Sequence, residues 1–249
     1  MPQTSRPNQS QPQILRTYTA LHQLRSAWGG QLILSLGLNP EGAALAIAAN
    51  IAGAVSLAID NDPSHISEIT RTGACDFIVN TLDEAIRAMK NELRKQAPLS
   101  VALTADPVLT LAEIKERGLA PQLFSNFLPL APHIEDAAAD LRALGATLID
   151  FHEATPPPQG FQSSHSLLSP LLKAKSWSLQ TFTFETTSAL RDFDAQALAL
   201  LPDGAVSTGP DTLRRRWLEA APRILQRQRP PHRSLWLTES ERSALFLST

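Results

Sequence analysis

The chain has 249 residues, 43% of them hydrophobic, and a formal net charge of -2. It is long enough to bury a sizeable core, and no global positive field directs it to nucleic acid or an anionic membrane. A single cysteine, Cys75, excludes an internal disulfide framework or a cysteine-based zinc cluster within one chain, which fits a reducing, cytoplasmic compartment.

Residues 1–13 form the expected lead. Met1 to Pro12 is rich in Gln, Pro, Ser and Asn without an apolar core, so it reads as disordered rather than as a signal peptide. Helical spacing of Tyr18, Leu21, Leu24 and Trp28 predicts an entry helix stopped by Gly29-Gly30. Gln31 to Leu36 reads as a buried strand, Gly37 to Gly42 as a turn, Ala43 to Ala52 as a helix and Ala54 to Ile59 as a second buried strand. The uncharged run Ala43 to Ile59 is shorter than the roughly 20 apolar residues a bilayer demands, and it is cut by Gly53, so no membrane span is expected. Helices over Pro63 to Thr72 and Leu82 to Lys95 flank a short strand, Phe77 to Val79. Leu99 to Thr104 is a strand, Val108 to Arg117 a helix, Gln122 to Ser125 a strand, Ile134 to Leu144 a helix and Thr147 to Phe151 a strand. Prolines and polar residues over 154–167 predict a surface loop. Beyond it come an edge strand, Ser178 to Phe184, helices Ala189 to Leu201 and Thr212 to Gln228, a last strand Ser234 to Leu237 and a helix Glu239 to Phe246. Near-continuous apolar strands alternating with helices imply a doubly wound, mostly parallel Rossmann-like α/β sheet with helices on both faces, filling 14–249 as one domain.

In such folds a dinucleotide needs glycines between the first strand and its helix, and an acid ending the second strand to hold a ribose hydroxyl. Gly37, Gly42 and Asp60 stand at those places. The loop between them, Leu38-Asn39-Pro40-Glu41, has the wrong chemistry: Pro40 offers no amide proton and Glu41 sets a negative charge where phosphate would lie, worth ~1 kcal/mol of repulsion in water at 4 Å. Weak or absent NAD binding is therefore expected. A purely structural account is also open, with Gly37 and Gly42 permitting a tight turn, Glu41 favourable at a helix N-terminus and Asp62 capping the helix that opens at Pro63.

Several short motifs carry a family resemblance. Ile14-Leu15-Arg16-Thr17-Tyr18, Gly29-Gly30 before a strand, Ala48-Ala49-Asn50-Ile51-Ala52-Gly53-Ala54, Asp60-Asn61-Asp62-Pro63, Leu82-Asp83-Glu84-Ala85 and Leu99-Ser100-Val101-Ala102 occur in the order found in urocanases. Towards the C-terminus, Arg216-Trp217-Leu218-Glu219-Ala220-Ala221, Leu235-Trp236-Leu237 and Glu241-Arg242 continue the pattern. The chain resembles the central Rossmann-like domain of the urocanase (urocanate hydratase) family, without the N-terminal segment and the cysteine-bearing C-terminal portion of that enzyme. The resemblance implies tightly bound NAD as the cofactor, a lyase reaction in histidine catabolism, and dimers.

This sequence departs from the family where ligands would touch. Asn39, Pro40 and Glu41 replace two glycines and a methionine of the phosphate loop, Ala105-Asp106 stands for a Gly-Asn pair, and Ser125-Asn126-Phe127-Leu128-Pro129 replaces a polar stretch. Cys75 lies in the wrong context to substitute for the family's cysteine. The expectation is a pseudoenzyme: a domain not catalytic alone, serving as a binding or assembly module with a protein partner, a second copy or a small-molecule ligand. The alternative is one component of an NAD-dependent urocanate hydratase whose catalytic portion another chain supplies.

Other chemistry is weaker. The six histidines form no metal-binding spacing, and Ser163-Ser164-His165-Ser166 lacks the locked geometry of an activated nucleophile. Arg214, Arg215, Arg216, Arg223, Arg227, Arg229 and Arg233 make a basic cluster that reads as a solvated helix face, with no aromatic platform to accompany nucleic-acid binding.

Overall fold

The computed structural model describes residues 11–152, 156–201, 210–226 and 228–246. In chain order, α1 (Gln11–Leu24) precedes β1 (Leu32–Leu36), α2 (Pro40–Ala52), β2 (Val55–Asp60), α3 (Pro63–Thr72), β3 (Phe77–Val79), α4 (Leu82–Lys95), β4 (Leu99–Thr104), α5 (Pro107–Glu116), β5 (Leu123–Asn126), α6 (Pro132–Ala143) and β6 (Thr147–Asp150). There follow β7 (Gln162–Ser163), α7 (Ser164–Lys175), β8 (Ser178–Thr183), α8 (Thr187–Leu200), α9 (Pro210–Ile224), β9 (His232–Leu237) and α10 (Glu239–Phe246).

Seven strands form one parallel sheet in the order β3-β4-β2-β1-β5-β6-β7, with helices on both faces, so the doubly wound Rossmann-like fold expected from the alternation is present. The order reverses at β1, which pairs with β2 on one side and β5 on the other. That reversal opens the crevice where ligands of this fold class bind.

Strand side chains alternate between the two faces. Leu34, Leu57, Val101 and Phe124 pack with Met89 of α4, Ile114 of α5 and Leu141 of α6, whereas Ile33, Ala58, Ala102 and Leu123 point to the layer of α1 and α2. Apart from Ile33 and Leu123 this face carries small residues, Ser56, Ala58, Ser100 and Ala102 among them, so α2 lies close to the sheet, and Ser100 Oγ donates to the Ala46 carbonyl at 3.0 Å. Alanines 43, 44, 46, 48 and 49 are all buried because α1 and α9 cover the outer side of α2. The uncharged run is therefore a core helix and strand. Among the described residues no helix is long and apolar enough to cross a membrane.

β8 and β9 form a separate antiparallel pair rather than joining the main sheet. It is tied back to α1: Trp236 Nε1 donates to Thr19 Oγ1 at 2.8 Å, and Trp217 Nε1 of α9 donates to the Ser234 carbonyl at 2.9 Å.

Three expectations need correction. The entry helix starts at Gln11, inside the lead expected over residues 1–13, because the buried Gln11 side chain donates to the His232 carbonyl at 2.7 Å and accepts from the Ser234 amide at 3.0 Å; residues 1–10 lie outside the described residues. The surface loop expected over 154–167 is shorter, since its serine run starts a helix: Ser163 caps α7 by accepting from the His165 amide at 3.2 Å. Residues 153–155 lie outside the described residues.

The arginine cluster, third, is a solvated face only in part: Arg216, Arg223 and Arg229 are exposed, but Arg214 and Arg233 are buried. Arg233 is 1% exposed and Arg214 is 3% exposed. Arg233 pairs through two nitrogens with Asp194, at 2.8 Å each, and Arg214 binds Glu241 at 2.8 and 2.9 Å and lies over the Trp177 ring. Arg227 lies outside the described residues.

Candidate functional site at the strand carboxyl ends

The structure brings Gly37, Gly42 and Asp60 together at the reversal point. The Gly37 amide donates to the Ile59 carbonyl at 2.8 Å, continuing the β1–β2 ladder by one residue. Gly37 has φ of 87°, a backbone conformation that glycine adopts without a Cβ penalty. The chain then doubles back so tightly that a Cβ on Gly42 would stand 2.1 Å from the Gly37 carbonyl oxygen. This is the close strand-to-helix approach that the glycine spacing predicts.

The groups around that turn are engaged within the chain. Asn39 is the N-cap of α2, its Oδ1 accepting from the Gly42 amide at 2.9 Å, while Pro40 has no amide proton to offer. Glu41 occupies the first turn. Asn39 Nδ2 reaches the Phe127 carbonyl at 3.3 Å, and Phe127, 4% exposed, packs over both Gly37 and Gly42. Leu128 joins it in a turn closed by Asn126, whose side chain donates to the Leu128 carbonyl at 2.9 Å and accepts from its amide at 3.2 Å.

Asp60 is 1% exposed. Its Oδ2 accepts from the Leu38 amide at 2.6 Å and lies 2.8 Å from His65 Nδ1, and its Oδ1 accepts from the Asp62 amide at 2.8 Å. Asp62 caps α3 by accepting from the Ser64 amide at 2.7 Å, and hydrogen bonds from the Ser64 hydroxyl and amide hold its carboxyl below the usual range. Asp106 likewise caps α5, accepting from the Leu109 amide at 2.9 Å.

Beside this turn lies a cavity of about 340 Å³ whose wall includes Arg16, Thr17, Glu41, Phe151, His152 and Ser164. Glu41 follows β1, Phe151 and His152 follow β6, and Ser164 follows β7, so the cavity opens at the carboxyl end of the sheet. The His152 ring stands edge-on to Phe127, with centroids 5.2 Å apart. Neither this cavity nor the part His65 plays beside Asp60 was visible in the sequence, because the wall comes from α1, α2, the end of β6 and α7. The one available signal was a histidine five residues after an acid at a strand end.

Among the described residues no group of three or more His, Cys, Asp or Glu is placed to hold a metal ion. Cys75 is a free thiol whose pKa burial, reinforced by the Asp76 carboxylate, pushes up to about 12.

Residues 14–131 match the family model of the urocanase Rossmann-like domain. The resemblance drawn from the motifs holds over that span, which is just under half of the chain. Among solved structures, a short chain alcohol dehydrogenase from E. coli CFT073 complexed with NADH aligns at 10% identity and a TM-score of 0.34, over 68% of this chain and 43% of its own. This chain thus spans less than half of that protein. A cyclopropane-fatty-acyl-phospholipid synthase-like protein from Lactobacillus casei ATCC 334 aligns at 13% identity and a TM-score of 0.29, over 84% of this chain and 85% of its own. Likenesses at these scores bear on no functional statement.

Proposed function

We propose, taking residues 14–131 as a urocanase-type Rossmann domain, that this protein is a pseudoenzyme: a binding or assembly module that does not hydrate urocanate alone and whose dinucleotide position is filled by its own side chains. The observation that supports this reading is the state of Asp60. A ribose would need that carboxylate as acceptor, yet the Leu38 amide, the Asp62 amide and the His65 ring already take both oxygens. Exchanging these bonds for ligand bonds strands two amides, at about 1–3 kcal/mol for each buried group left unsatisfied. The pyrophosphate position is no better suited, since its helix start has lost one amide to Pro40 and another to Asn39 and carries Glu41. NAD does not fit the residues as they stand.

A second reading has one observation in its favour. The Gly37–Gly42 approach and the placement of Asp60 are those of a dinucleotide-binding turn, so a partner chain that rearranges Phe127 and His65 would make a split urocanate hydratase.

Calorimetric titration of the purified protein with NAD+, after confirming spectroscopically that no nucleotide co-purifies, separates the two. No heat of binding and no loss of urocanate absorbance support the pseudoenzyme. Micromolar binding overturns it in favour of the split enzyme.

A further inference from the structure

We draw no further inference here: the strongest candidate, the pocket between α8, the end of α9 and the start of β9, whose wall includes the buried Arg233 with one guanidinium nitrogen lacking a hydrogen bond, carries nothing because that guanidinium is already paired with Asp194 and the wall runs through Gln226 and Gln228 on either side of Arg227, which lies outside the described residues, so nothing in the structure shows what occupies it.

Discussion

Gly42 stands against the carbonyl of Gly37 with no room between them for a methyl group: a Cβ there would lie 2.1 Å from that oxygen and 3.3 Å from Phe127 Cδ2. Because the first obstacle is backbone, it cannot swing aside as a side chain would. Alanine normally gains up to about 1 kcal/mol over glycine inside a helix, yet Gly42→Ala should lose about 2–3 kcal/mol by overpacking. Urea unfolding measures this directly, as a lowered midpoint with an unchanged slope. A neutral or stabilised variant would mean that the turn is looser than described.

Asp60 and His65 share a hydrogen bond but should differ in what their loss costs. Asp60→Ala strands the Leu38 and Asp62 amides, and a loss of about 2–4 kcal/mol follows from two unsatisfied groups. His65→Ala leaves both amide bonds in place, and its side chain is already 30% exposed, so about 1 kcal/mol is expected. Equal losses, read from chemical denaturation of the two variants, would show that the ring rather than the amides holds the carboxylate.

The Arg233–Asp194 pair joins β9 to α8 with both side chains at most 7% exposed. Removing either partner alone leaves an uncompensated buried charge, so Asp194→Ala should cost about 3–5 kcal/mol. Replacing both, with Arg233→Met and Asp194→Leu together, should recover most of that loss, since an apolar pair escapes the desolvation penalty. A double-mutant cycle in denaturant decides it.

Glu241 makes part of the stability depend on pH. Burial by itself would raise its pKa, but hydrogen bonds from Arg214 and from the Thr238 amide outweigh burial and leave the carboxyl below the usual range. A depressed folded pKa means that the stabilisation is fully present above the unfolded value, about 4.3, and is lost as pH falls through the folded one. The melting temperatures of the parent and Glu241→Gln should therefore differ most near neutral pH and converge in acid. A gap that widens in acid would reverse the sign.

Much of the fold was legible in the sequence because its signals are local. Pro63 to Thr72, opened by Asp62 and Pro63, and Leu82 to Lys95 were bounded correctly; in the structure Thr81 and Glu84 close the start of the latter as a capping box. The buried strands were legible because a sheet covered on both faces requires unbroken apolar runs. The serine run 163–166 misled because serine marks loops and helix caps alike, and Arg233 and Arg214 misled because their partners, Asp194 and Glu241, lie 39 and 27 residues away along the chain.

The sequence by itself determined the order of elements apart from β7 and α7, the parallel sheet, the glycine turn after β1 and the acid at the end of β2, since each follows from periodicity or from a backbone need within a few residues. Only the tertiary structure decided what those groups face. Phe127 closes over Gly37 and Gly42 from a strand some 90 residues on, His65 turns back onto Asp60, and Arg16, Glu41, His152 and Ser164 meet around one cavity. Hydrogen-bond satisfaction and charge pairing depend on distances in space, and positions along a chain do not fix them until the sheet has brought its carboxyl ends together.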